Sequence, residues 1–139
     1  MKLIISGSRY ITDGNILRKA VFEWAKQIHG ENIPLPLNAW IDEIIEGGAK
    51  GVDSLAGNFA EKHGINHITF HANWKKFGPA AGPLRNEDMA KYGKLFPNTW
   101  VLAIPQSTKG GTQNMITYST NIGLDVFVVK DYINDNYVS

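Results

Sequence analysis

The chain contains no cysteine, so neither a disulfide framework nor a thiolate metal site enters its chemistry. It carries almost no net charge: 14 Lys and Arg against 13 Asp and Glu leave +1 at neutral pH. That balance argues against a broad polyanion-binding surface, because non-specific nucleic-acid binding sums many Lys and Arg contacts to phosphate. Any cationic character must therefore be local. No apolar run approaches the ~20 residues needed to span a bilayer. Internal repeats and low-complexity tracts are also lacking, and the N-terminus enters a strand pattern without the regions of a signal peptide. Together these absences lead to the expectation of a soluble, cytoplasmic protein that makes no membrane contact. What is present is globular: 139 residues, 43% of them apolar, with four tryptophans. That is enough for one hydrophobic core without metal or disulfide support.

Short β-rich runs alternate with longer amphipathic stretches, the pattern of βαβ units. Strands are predicted at residues 2–6, 41–45, 66–70, 99–104 and 125–129, and helices at 13–29, 51–63, 83–92 and 112–122. The expected fold is α/β: one Rossmann-like, doubly wound parallel sheet of about five strands with helices on both faces. In the first helix Thr12 or Asp13 would cap, and Ile16, Leu17, Ala20, Val21, Trp24 and Ile28 would form the inward face. In the second, Val52, Leu55, Ala56, Phe59 and Ala60 would do so, with Gly64 as the left-handed stop. Residues 31–38, with Pro34 and Pro36, read as irregular. Residues 1–130 are expected to form one nucleotide-binding domain and 131–139 a C-terminal tail.

Four Gly-bearing segments each follow a predicted strand: Gly7-Ser8-Arg9, Gly47-Gly48-Ala49-Lys50-Gly51-Val52-Asp53, the stretch from Ala72 to Met89, and Gly110-Gly111-Thr112. In a parallel open sheet all four would lie on the carboxyl edge, where such folds bind ligands. The stretch from Ala72 to Met89 reads as a long loop containing Gly78, Gly82 and Pro83 that runs into Arg85-Asn86 at a helix start. Proline in a first turn loses only a donor that has no partner there, so Arg85 and Asn86 would lie near the positive helix end, a natural phosphate site.

Read together, these segments, with Trp74, Met89, Met115 and Ile116, resemble the YspA, cpYpsA-related members of the SLOG superfamily. The resemblance spans nearly the whole chain and implies a Rossmann-like fold and a nucleotide or nucleotide-derived ligand. More distantly, the chain is similar to the Lonely Guy phosphoribohydrolases and the DNA-processing protein A family. Arg85 and Met89 match the Arg-Lys-x-x-Met helix of the Lonely Guy enzymes, with Asn86 in place of the lysine. Their Pro-Gly-Gly-x-Gly-Thr-x-x-Glu loop is matched in part. Residues Gln106 to Lys109 intervene between Pro105 and Gly110, and the catalytic glutamate position falls on Met115. Methionine can neither stabilise an oxocarbenium-like state nor activate water.

The candidate binding residues are Gly7, Ser8, Arg9, Gly48, Lys50, Gly82, Asn86, Gly110, Gly111 and Thr112. Arg85 and Asp53 are the candidates for catalysis, Arg85 through bidentate recognition of phosphate and Asp53 as a partner of ribose hydroxyls or an acid/base group. Each has a plainer reading. Gly110-Gly111-Thr112 could be an ordinary capped turn, Asp53 a helix-dipole partner, and Arg85 the ion-pair partner of Glu87 or Asp88. Trp74 and Phe77 could stack on a base, but loop aromatics more often pack the loop onto its sheet, which is the expectation here. His67 and His71, four apart on one strand, would lie ~13 Å apart, too far to share a metal. Neither a metal nor a cofactor is expected.

The leading expectation is a module that binds a nucleotide or nucleotide-derived molecule, as a sensor or sequestering protein. The alternatives are a phosphoribohydrolase cleaving the N-glycosidic bond of a nucleoside monophosphate and a single-stranded DNA-binding protein, the last disfavoured by charge. The dimeric Lonely Guy relatives also leave a homodimer open, with Trp24 or Trp40 as candidate interface aromatics.

Overall fold

The computed structural model describes residues 1–136. Five parallel strands, β1 (Lys2–Gly7), β2 (Glu43–Glu46), β3 (Asn66–Thr69), β4 (Thr99–Ile104) and β5 (Asp125–Val128), form one sheet in the order β3-β2-β1-β4-β5. Among the described residues, α1 (Gly14–His29), α2 (Val52–Lys62), α4 (Ala81–Lys94) and α5 (Gly111–Asn121) flank it, and the short helix α3 (Trp74–Phe77) packs against α4. This is the Rossmann-like architecture expected from the alternating pattern.

Side-chain alternation divides the core into two layers. Leu3, Ile5, Ile44, Leu102 and Ile104 face α1 and α2, where they pack with Leu17, Val21, Trp24, Ala56 and Phe59. Ile4, Ile45 and Val101 face the other way, onto Met89 and Ala90 of α4 and Met115 of α5. The central strands are therefore buried on both faces, which explains their unbroken apolar runs. The register Leu3↔Ile44 and Ile4↔Ile45 keeps like-facing residues level across the pair. Since α1 and α2 cover one face and α4 and α5 the other, the chain reverses direction around β1. That switch point opens the crevice where a ligand site is expected.

Most boundaries fall within two residues of expectation. Asp13 caps α1, its Oδ1 accepting from the Asn15 N–H at 2.9 Å, and Gly30 closes the helix at φ +66°. The second strand starts at Glu43 and not at residue 41, because the Ile41 N–H bonds back to the Leu37 carbonyl and the Asp42 N–H to Met1. The largest departure is the predicted long loop. Its residues Trp74–Phe77 are helical, Gly78–Ala80 form a 3-10 turn, and α4 starts at Ala81. Asn73 caps the short helix through its side-chain oxygen, 3.1 Å from the Lys76 nitrogen. Pro83 thus occupies the third helical position, still free of an intrahelical donor requirement, while Arg85 and Asn86 lie in the second turn and not at the helix end.

Candidate functional site

Above the carboxyl ends of β1, β2 and β4 lies a cavity of about 280 Å³. From the β1 side it is lined by Ser6, Gly7 and Arg9, and from α2 by Asp53. Arg85 and Asn86 of α4, Gly111 and Thr112 of α5, and Trp74 of α3 also line it, with Ala49 and Met89. Seven of the twelve candidate residues read from the sequence meet in this space: Gly7, Arg9, Asp53, Arg85, Asn86, Gly111 and Thr112.

Arg85 is held by the protein before any ligand arrives. Its Nη1 donates to the Gly47 carbonyl and its Nε donates to Asn86 Oδ1 at 3.0 Å. Gly47 is needed for this approach, since a Cβ there would stand 2.7 Å from Arg85 Nη1. Among the described residues Nη2 has no protein partner, and the ion pair with Glu87 or Asp88, the plainer reading of Arg85, does not form. Asn86, 3% exposed, uses its amide to bridge α4 to the start of α5: Nδ2 donates to the Gly111 carbonyl at 3.1 Å and to Asn114 Oδ1 at 2.9 Å. Its side chain is consumed in positioning Arg85 and α5. Asn114, which the sequence did not single out, is the far anchor.

Asp53 is 6% exposed, and its Oδ2 accepts from the Ala49 N–H at 3.1 Å. Burial pushes its carboxyl up from 3.8 to about 6, against the lowering effects of the Ala49 hydrogen bond and the Arg85 charge and with a raising contribution from Glu46. A carboxyl that titrates near neutrality inside a cleft suits proton transfer. Glu46 is equally buried and was missed by the sequence reading. It accepts from the Gly48 N–H, from Thr69 Oγ1 and from a ring nitrogen of His67, 2.6 Å away. The available signal was a charged residue closing an apolar strand just before a Gly-Gly turn.

Other candidates prove to shape the turns. Ser8 is fully buried; its hydroxyl donates to Gln106 Oε1 and accepts from the Tyr10 N–H, so the expected role as a phosphate donor does not fit its position. Gly7 makes room for Val52, whose Cγ2 would be 2.6 Å from a Cβ at residue 7. Gly48, at φ +74°, and exposed Lys50 lie outside the Arg85 cavity, and Gly48 instead borders a second cavity of about 370 Å³ with Glu46, His67 and His71. His71 lies beyond the end of β3, so the two histidines do not share a strand. No cluster of three metal-ligating side chains occurs among the described residues. Gly110, at φ 94°, precedes α5 and lets the helix start at Gly111. Gly82 gives Trp74 space against α4, because a Cβ there would be 3.1 Å from Trp74 Cη2.

The aromatic expectations are corrected. Trp74 and Phe77 are 59% and 44% exposed instead of packed on the sheet, because the short helix α3 holds them away from it. Trp24 is fully buried and stacks on Trp40 at 5.4 Å, so it is not available to a dimer face. Met115 is also fully buried, in the core layer beneath α4 and α5. The position that matches the Lonely Guy glutamate contributes packing here.

Residues beyond β5 return to the β4–α5 loop. The Asn134 N–H donates to the Gln106 carbonyl at 2.7 Å, and Asp135 Oδ1 accepts from both the N–H and the hydroxyl of Thr108. The β4–α5 loop is thereby tied to Ser8 on one side and to residues 134–135 on the other. Asp135→Ala removes both of the Thr108 hydrogen bonds and is expected to lower stability by about 1 kcal/mol, read as a downward shift of the urea-denaturation midpoint.

A parallel sheet crossed at its switch point by a cleft bearing two arginines, a helix N-terminus and a buried carboxyl defines a Rossmann-like α/β protein with a cavity at the strand ends. The model of the YspA, cpYpsA-related SLOG family matches residues 1–77, and the chain belongs to that family. The matched segment contains Gly7, Arg9, Asp53 and Trp74. The chain is also similar to the Gene 61 protein of Mycobacterium phage D29, with 26% identity over 135 residues that cover 94% of this chain and 97% of the relative. Family membership suggests a nucleotide-related function. No helix among the described residues is long and apolar enough to cross a membrane.

Proposed function

We propose that the protein binds a nucleotide or nucleotide-derived small molecule in the 280 Å³ cavity, with phosphate between Arg85, Arg9 and the N-terminus of α5, and the sugar beside Asp53. The observation that carries this reading is local charge. In a chain of net charge +1, two arginines and the first turn of an 11-residue helix converge on one cleft. Backbone N–H groups of that turn and a pre-positioned guanidinium are suited to an anion's oxygens. The volume lies just below the ~300–1,000 Å³ range of small-molecule sites, which suits one nucleotide better than a dinucleotide.

A thermal-shift panel of nucleoside monophosphates, NAD, ADP-ribose and cyclic nucleotides tests the proposal. Stabilisation by at least one mononucleotide is expected, and failure of every compound to bind would sink it. Mass spectrometry of the same mixtures distinguishes a binding module, which returns the ligand intact, from a hydrolase.

One observation favours the hydrolytic reading: the Asp53 carboxyl, pushed up to about 6 within the cavity. As a carboxylate it would take a proton from the water attacking the anomeric carbon, while the N-glycosidic bond breaks and the base departs with its electron pair and gains a proton. Release of base that disappears in Asp53→Asn would establish this second reading; no release at high protein concentration would leave binding alone.

A further inference from the structure

Trp74 is a large aromatic side chain, 59% exposed, on a helix of four residues. Leaving so much apolar surface in water forgoes the gain of burial, and its position is nonetheless well supported. Asn73 caps the short helix. Gly82 omits the side chain that would crowd the indole, so the ring edge comes within 3.1 Å of where a Cβ would stand, and Arg85 Nη2 lies 3.9 Å from the same point. The indole and the guanidinium thus lie side by side at Gly82, and both line the cavity. Phe77, one turn further along α3, is 44% exposed and does not line it.

We propose that the indole of Trp74 is the platform on which the heterocyclic base of a nucleotide stacks, so that the site selects base-bearing nucleotides over sugar phosphates. This inference rests on the nucleotide reading above and adds the group that recognises the base. Base–aromatic stacking is tolerant of sequence and strong enough to give a preference of about tenfold or more. With the base on Trp74, the sugar meets Asp53 and the phosphate lies toward Arg85 and Thr112, on the wall of the same cavity. A base-free sugar phosphate would keep the anion contacts and leave the indole in water.

The test is calorimetric titration of the full chain with a panel of nucleoside 5′-monophosphates and, separately, with ribose 5-phosphate, for the parent protein and for Trp74→Leu, Trp74→Phe and Phe77→Leu. The parent should bind its best mononucleotide about tenfold or more tighter than ribose 5-phosphate. Trp74→Leu should erase that preference while leaving ribose 5-phosphate affinity unchanged, which also shows that the variant is folded. Trp74→Phe should keep most of the preference, and Phe77→Leu should behave as the parent. Equal affinity of the parent for both ligand types would overturn the inference while leaving the anion site in place. So would a preference that survives in Trp74→Leu. If the parent binds neither class of probe, the nucleotide reading itself fails and this inference with it.

Discussion

Replacing Arg85 by methionine is expected to weaken binding of a phosphorylated ligand about 100-fold or more, the scale of losing a bidentate charge-assisted pair in a partly enclosed site. The magnitude follows from how the side chain is held. One donor is fixed on the Gly47 carbonyl and another on Asn86, so the remaining donors point into the cleft with their entropy already lost. Lysine at this position restores a charge without the planar fork, and Arg85→Lys should recover only a small part of the loss. Arg85→Met leaves the Gly47 carbonyl without this donor, which should lower stability by about 1–3 kcal/mol. Affinity by calorimetry and stability by denaturation must therefore be measured together. A folded Arg85→Met protein that binds within threefold of the parent would place the phosphate elsewhere.

Asp53→Asn should make the protein more stable at neutral and alkaline pH. The folded chain holds the Asp53 proton up to about pH 6, against 3.8 for an unperturbed carboxyl. Between those values the folded state binds the proton more tightly than the unfolded state, so this contribution to stability is complete below pH ~3.8 and lost as pH rises through about 6. Above that, the folded chain carries a buried charge that costs up to about 3 kcal/mol. Asparagine keeps an oxygen for the Ala49 N–H and removes the charge. A gain of about 1–3 kcal/mol is therefore expected at pH 8, shrinking to nothing near pH 4. Urea titrations at pH 4, 5.5 and 8 read it directly, and a difference that does not change with pH would refute the assignment. A buried carboxyl with this cost, lying in a cleft, is a candidate for the chemistry proposed above.

Much of the fold could be read from local patterns. The two apolar layers follow from alternation in β1, β2 and β4, and the boundaries of α1 follow from Asp13 and Gly30. The reading failed from Ala72 to Ala81, where glycine and proline punctuation concealed a capped helical turn and an early start of α4. It failed there because the Asn73 cap and the third-position proline favour helix as readily as they interrupt it. Four turns on one edge were legible too, since parallel strands and short crossovers force them together.

The division of roles among the site residues was less legible. Ser8, Gly7 and Asn86 have the chemistry of ligand contacts, yet the first satisfies Gln106 and Tyr10, the second accommodates Val52, and the third clamps α4 to α5. Residue type states what a side chain can donate, whereas its neighbours determine what remains to be donated. Glu46, Asn114 and the return of Asp135 to the β4–α5 loop were missed for the same reason: each meets partners more than 20 residues away.

Periodicity and turn chemistry, which act over a few residues, were enough to specify the parallel α/β architecture, the strand-end edge that bears the cleft and the presence there of Arg85, Asp53 and the Gly110-Gly111-Thr112 turn. That Trp74 lines the cleft, that Met115 lies in the core and that burial raises the Asp53 carboxyl to about 6 emerged from packing alone. Burial, desolvation and competition for hydrogen-bond partners are properties of the packed chain, fixed by residues distant in sequence.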